Sequence, residues 1–395
     1  MEKLTEILNR YIAVGNDTKD KLLGASFVAV EKNGIIHEVS GGRITTAVDS
    51  PCFNIDSSGW IVSMSKIVTA VACMQLVEKD LIKLDDNVRH LIPELAEVEI
   101  LQGFDDQDKP ILEKNSDPIT LRQLLSHTSG MTYDMIDPDI QKWSKTVGRT
   151  STTLEQTREG WNTPLRFRPG QSWNYGSGID WAGQVLEQIT GQSLELYKVE
   201  NIFKPLGMKE TTYNREQIAG RLAGRIIECP YRNEDGSFSS GPLPVPENPP
   251  LYGGGSGLFS SARDFAAFLQ GVLAAGEGQG TLLKKETVDE MFRPQLKEAE
   301  KQAMETLLQG NVPFPVGTPM NHGISGAINM EDVPNKRHKG SLTWGGLSNP
   351  QWWIDRRSGI AAVLFVNLVS TADVATIKLY DELERALYAS LDEGV

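Results

Sequence analysis

Two stretches near opposite ends of the chain do most to limit what it can fold into. Near the start, "GASFVAVEKNGIIHEVSGGRI" reads as two strands joined by turn residues Asn33 and Gly34. Near the end, "PQWWIDRRSGIAAVLFVNLV" repeats the pattern: an aromatic and apolar strand, a turn at Arg357 to Gly359, then a β-prone strand through Val366. Strands joined this closely run antiparallel, so the expectation is an antiparallel sheet assembled from both ends of the chain, with helices packed against it. That is an α+β sandwich.

Between and after the hairpins, apolar residues recur at helical spacing over 64–80, 121–126, 178–190, 194–201, 261–275, 284–292 and 372–390. The opening segment has the same character, with Leu4, Ile7, Leu8 and Tyr11 on one side. At 395 residues the chain exceeds the size at which a single core keeps growing. We therefore expect one catalytic unit, 1–395, with two lobes: an α/β lobe from 1–60 plus about 258–395, and a mostly helical lobe over about 61–257. Two stretches, 230–257 and 311–341, fit no regular element and are read as loops beside an entrance.

The formal charge of −13 argues against a nucleic-acid surface, which needs positive charge to displace counterions from phosphates. No run of 18 apolar residues occurs, and the first residues, "MEKLTEILNRYIAV", lack the basic start and apolar stretch of a leader. Three scattered cysteines make neither a disulfide framework nor a zinc site, and Cys52 and Cys73 read as small buried hydrophobes. A cytoplasmic protein without membrane partner or metal is expected.

The chemistry begins at "IVSMSKIVTAVACMQL", residues 61–76. Ser63 and Lys66 lie three residues apart at a helix start and so share one face, which Ser65 does not. Behind them Ile67, Ala70, Val71, Met74 and Val77 form an apolar stripe that would anchor the helix. A serine hydroxyl is a weak nucleophile until a base takes its proton, and a lysine can be that base where burial disfavours its charged form. Alone, S-x-x-K also fits a capped core helix. Other pieces join it: "TLRQLLSHTSG" at 120–130, Tyr175 in the glycine-rich "FRPGQSWNYGSG" at 167–178, "GGGSGLFSSARDFAAF" at 253–268, and glycines ahead of a strand in "HKGSLTWGGL" at 338–347.

Taken together these motifs resemble the serine hydrolase superfamily of class C β-lactamases, D-alanyl-D-alanine carboxypeptidases and their esterase relatives, over roughly residues 20–390. The resemblance implies a β-lactamase/transpeptidase-like fold, with Ser63 as acylated nucleophile, Lys66 as its proton partner and Tyr175 as general base and later acid. His127 resembles a structural histidine bonded to nearby backbone. The third motif falls either on Trp344, Gly345 and Gly346, with the N–H groups of Ser63 and Leu347 as the oxyanion hole, or on His338, Lys339 and Gly340, with Ser341 as second donor. Trp60, Tyr133, Trp173, Tyr252 and Trp344 are candidate substrate contacts. Lys336 and Arg337 read as part of a solvated charge run.

The chain departs from the lactamase pattern in carrying Ser177 where those enzymes have asparagine, and in lacking Lys-Thr-Gly. Lactam recognition is thereby in doubt. The wording of "ITLRQLLSHTSGMTYDMID" and "SLTWGGLSNPQWWIDRRSGIAAVLF" is most similar to a filamentous-fungal branch that contains a polyketide transesterase acting on a statin precursor. That resemblance implies acyl transfer from an ester or thioester to an alcohol of a secondary metabolite, with esterase activity or an inactive binding protein as alternatives. The implied partners are a small-molecule ester or alcohol, with an acyl carrier protein or acyl thioester as donor; no cofactor is implied, and a monomer or weak dimer is expected.

Overall fold

The computed structural model describes residues 2–246, 248–308, 317–369 and 372–392. Its framework is a seven-stranded antiparallel sheet of β1 (Gly24–Glu31), β2 (Gly34–Gly42), β3 (Met320–His322), β4 (Ala327–Asn329), β5 (Leu342–Gly345), β6 (Gln351–Asp355) and β7 (Ile360–Phe365). The strand order is β2-β1-β7-β6-β5-β4-β3, so β1 pairs with β7, joining residues as far apart in sequence as Ser26 and Phe365, and the two hairpins read from sequence meet in one sheet.

Both faces of the sheet are covered, and the strand period of two assigns residues to each. Phe27, Ala29, Trp353, Ala362 and Leu364 pack under α1 (Glu2–Tyr11) and the C-terminal helix Val374–Asp392. Val28, Val30, Ile354, Ala361 and Val363 face the other way, into a cluster continuous with α2 (Ser65–Glu78), α3 (Leu121–Ser126), α4 (Gly178–Thr190) and α5 (Ala262–Gly276). Following the chain, the helix Glu298–Leu308 is α6 and the C-terminal one is α7. No helix among the described residues is long and apolar enough to cross a membrane.

Several sequence expectations change. The 311–341 stretch supplies β3 and β4, each three residues long and too short to display an alternation; its residues 311–316 lie outside the described residues. A hairpin of Glu99–Phe104 and Pro110–Lys114 interrupts the helical middle. Cys52 is exposed, because it sits in an irregular connection, whereas Cys73 lies inside α2 and is buried.

The largest correction concerns Lys336 and Arg337. These are not a solvated run: Arg337 is 1% exposed and pairs bidentately with Glu384, itself 0% exposed, at 2.7 Å for each contact, while Lys336 bridges Asp381 and Glu384. Arg337 also lies over the Trp353 ring, so the cluster ties β6 to α7. Burial would raise the Glu384 carboxyl, but the two cations outweigh it and hold it below its ordinary value. Removing one partner leaves buried charge unpaired. Glu384→Ala is expected to cost about 3–5 kcal/mol in denaturant unfolding, and replacing Lys336 and Arg337 by Met in the same chain should recover most of it. An unchanged midpoint for Glu384→Ala would count against the network.

Candidate active site

Strand Ser58–Trp60 pairs with Phe259–Ser261, and the chain then turns sharply into a single 3₁₀ turn, Val62–Met64, that runs into α2. The turn needs Val62 at φ +48°, a left-handed conformation that costs a β-branched residue about 1–3 kcal/mol. Packing of Val62 with Trp60, Leu222 and Phe259 holds it there. Strain thus sits one residue before Ser63.

Sequence suggested a helix apolar on one side; instead α2 is buried on every side from Ser65 to Leu76. Its few polar side chains are each given partners. Ser65 Oγ accepts the Leu258 N–H at 3.1 Å, Thr69 Oγ1 donates to the Gly254 carbonyl at 2.6 Å, and Gln75 donates to the carbonyls of Asn201 and Leu282. Ser65 is therefore a structural residue, turned away from Ser63.

Lys66 is 2% exposed, and its ammonium donates to Ser63 Oγ (3.1 Å), Tyr133 Oη (2.9 Å) and the Gly255 carbonyl (2.8 Å). Those three acceptors use all three of its N–H groups. Behind them Asp180, buried in α4, accepts from Tyr133 Oη at 3.3 Å and from the Gly255 N–H at 2.8 Å. Burial raises the Asp180 carboxyl against the pull of Lys66 and the Gly255 N–H, and burial together with Asp180 pushes the Tyr133 phenol well above its ordinary value. A side chain on residue 255 would meet Asp180 at 2.7 Å and Tyr133 at 2.8 Å, so this position requires glycine. The "GGGSG" stretch is the back wall of the lysine site. Sequence reasoning gave neither Asp180 nor the Tyr133 contact; the one legible hint was an aspartate inside an otherwise apolar helix start, "GIDWAG".

Tyr175 Oη lies 2.7 Å from Ser63 Oγ, and the Lys66 ammonium stands 4.7 Å from its ring centroid. Its loop is fixed by backbone bonds from Asn174 N to His127 O and from Tyr133 N to Tyr175 O. Gly176 passes against Met131 and Thr132, where a Cβ would come within 2.5 Å of both. The ring is packed among His127 (4.9 Å), Trp344 (5.2 Å), Tyr133 (5.3 Å) and Trp173, which stacks on it at 6.4 Å and 17°. His127 follows α3 in a left-handed C-cap, after a helix begun by a Thr120–Gln123 capping box. The expected backbone bond of its ring is replaced by aromatic packing: Nδ1 has no hydrogen-bond partner, and His322 and Trp173 stand at 5.5 and 5.8 Å. Burial lowers both imidazoles, His127 well below its ordinary value and His322 to about 4.

Strand β5 places the two candidate third-motif segments differently. Trp344 Nε1 donates to Tyr175 Oη at 3.1 Å, and Trp344, Gly345, Gly346 and Leu347 line a cavity of about 520 Å³ together with Ser63, Tyr133 and Tyr175. A Cβ on Gly346 would lie 2.9 Å from the Ile61 carbonyl, so this glycine lets the loop close on the Ser63 turn, while one on Gly345 would lie 2.5 Å from Gln351 Oε1 on the paired strand β6. His338 instead bonds Asp355 and Ser358, Lys339 is exposed at its side chain's end of that turn, and Ser341 Oγ donates to the His338 carbonyl. At about 3.3 Å per strand residue, Ser341 and its neighbours sit about 10 Å from Trp344 along β5. None of residues 338–341 lines the cavity.

Of the other aromatic candidates, only Tyr133 and Trp344 reach the cavity. Trp60 is core, donating to the Ser256 carbonyl at 2.6 Å; Trp173 supports Tyr175 from behind; Tyr252 packs on Tyr213 at 5.1 Å. Trp60 and Trp173 are buried and Tyr252 is partly buried against the core. Ser177 also points inward, toward the Trp161 carbonyl. Among the described residues no cluster of side chains could hold a metal ion.

Known proteins are similar to this chain along most of its length. Lovastatin esterase of Penicillium rubens is 32% identical over 369 residues, 89% of this chain and 90% of that one. Monacolin J acid methylbutanoyltransferase of Aspergillus terreus is 31% identical over 354 residues, 87% of this chain and 85% of that one. The solved structure of unliganded simvastatin synthase from Aspergillus terreus, as its selenomethionyl derivative, matches with a TM-score of 0.89 at 29% identity, covering 99% of each chain. With the beta-lactamase family profile matching residues 8–386, the chain belongs to the beta-lactamase family.

Proposed function

We propose that this protein is a serine acyltransferase that takes an acyl group from an ester or thioester onto Ser63 and passes it to an alcohol of a secondary metabolite. One observation carries the reading. Ser63 Oγ accepts from both Lys66 Nζ and Tyr175 Oη at the floor of a cavity walled mainly by Val62, Ile136, Leu154, Leu308 and Trp344. Two donors on one oxygen, one of them cationic, favour negative charge there as the proton leaves.

In the first half-reaction Tyr175 enters as the phenolate, and as Ser63 Oγ attacks the acyl carbonyl the serine proton passes along the 2.7 Å contact to the Tyr175 oxygen. Charge on the Tyr175 oxygen is favoured by the Trp344 N–H and by the ammonium facing its ring. Carbonyl oxygen charge is met by the backbone N–H groups of Ser63 and Leu347, a type of contribution often worth several kcal/mol in total. The C–O or C–S bond to the leaving group breaks, and that group departs with the proton from Tyr175. The second half repeats these steps with an acceptor alcohol, whose proton goes to Tyr175 and returns to Ser63 as the new ester leaves.

Tyr133 and Asp180 act through Lys66, holding its ammonium and the Gly255 carbonyl in line. An acyl carrier protein or a small acyl thioester would serve as donor. Hydrolysis is the second reading, favoured because the esterase from Penicillium rubens is as similar to this chain as the methylbutanoyltransferase. Product analysis separates them. With an acyl thioester and a panel of polyketide alcohols, new ester is the expected product, and free acid with every alcohol would assign hydrolysis.

Intact-mass spectra after a fluorophosphonate should show one adduct in the wild-type protein and none in Ser63→Ala. Ser65→Ala should still label while losing about 1–3 kcal/mol of stability through the abandoned Leu258 N–H; a dead but folded Ser65→Ala would overturn the choice of nucleophile. Tyr133→Phe and Asp180→Asn are expected to lower kcat by up to about 100-fold through misplacement of Lys66, with KM little changed. Wild-type kcat in both would remove them from the mechanism. The imidazoles beneath Tyr175 set an acid limit: both resist protonation when folded, whereas in the unfolded chain they protonate below their ordinary 6.5. Stability is therefore full above that value and is lost as pH falls toward about 4. Denaturant midpoints at pH 7, 5.5 and 4.5 would check it, and a flat profile would count against it.

A further inference from the structure

None of the residues lining the cavity over Ser63 is charged, and four of them, Met135, Ile136, Leu307 and Ile377, are also large apolar side chains left 40–50% exposed at its mouth. Two buried cations behind the wall are spent elsewhere. Lys66 has all three N–H groups on protein acceptors, and Arg337, behind the lining residue Tyr380, is paired bidentately with Glu384. The overall charge of −13 adds a field that disfavours anions at the entrance.

From this we propose that the cavity takes only uncharged groups: the acyl chain and the part of the acceptor that enters are neutral and largely apolar, an ester, lactone or alcohol in place of a free carboxylate. A carboxylate there would give up water without gaining a cation or a set of charge-assisted hydrogen bonds. The inference rests on Ser63 being the acylated residue. It adds a selection by charge that the proposed chemistry does not itself require. The relative named monacolin J acid methylbutanoyltransferase acts on an acid by its name, so this wall would set the present chain apart in substrate.

The test compares two acyl donors that differ in one methyl group, p-nitrophenyl methyl adipate and p-nitrophenyl hydrogen adipate, at pH 7.5, with p-nitrophenyl butyrate as a short neutral reference. The neutral adipate is expected to exceed the anion in kcat/KM by about 100-fold. Adding a cation to the wall, by Ile377→Lys or independently by Met135→Lys, should narrow that ratio by about tenfold through a charge-assisted contact. Both positions are half-exposed, which spares the core. Equal rates for the two adipates within threefold, with the butyrate turned over, would overturn the charge selection alone. A ratio that neither variant narrows would overturn its assignment to this wall. Absence of nitrophenol release and of a Ser63 adduct with all three esters would overturn the acyl-serine reading and this inference with it.

Discussion

An ammonium as deeply buried as that of Lys66 is tolerated only where each of its N–H groups meets an acceptor, since an unpartnered buried charge costs on the order of several kcal/mol. The three acceptors come from three separated parts of the chain: Ser63, Tyr133 and Gly255. Satisfying the lysine therefore aligns the α2 start, the segment after α3 and the glycine-rich wall at once. Asp180 ties two of these to each other and to α4, so the polar centre is braced from both sides.

What allows that centre to exist is the apolar mass around it. Because α2 is enclosed on every side, most of its polar groups must find partners one by one: Ser65 meets Leu258, Thr69 meets Gly254 and Lys66 meets the site itself. Lys198 extends the same logic one layer back, with its buried ammonium on Thr69 and Tyr213 and burial pulling it down to about 7. Glycines supply the close approaches. At positions 176, 255 and 346 a side chain would collide with backbone or with a site residue.

The far side of the site depends on the sheet. Strand β5 carries Trp344 to Tyr175 only because β6 and β7 set its register, and those strands are held to α7 by the Arg337–Glu384 pair. The same helix presents Thr376, Ile377 and Tyr380 to the cavity, so a structural ion pair and the substrate wall share one element. The cavity stays uncharged while charge is concentrated just behind it.

By itself the sequence determined the sheet of joined terminal hairpins and the main helices, because period-two and helical spacing are local, while Ser63, Lys66 and Tyr175 were singled out through the resemblance of its motifs to a known family. It also held both registers of the third motif, since a run with two sets of small residues before a strand is locally consistent with either. Only the tertiary structure sets them apart in space, through the pairing of β5 with β6 and the contact of Gly346 with Ile61. Long-range packing likewise placed Asp180 and Tyr133 on Lys66, sent Trp60, Trp173 and Tyr252 to the core, and turned a basic run into a buried ion pair. The Tyr133–Asp180, Lys66–Tyr133 and Trp60–Ser256 contacts join residues 47, 67 and 196 positions apart, and no local pattern in the chain records which distant groups will meet.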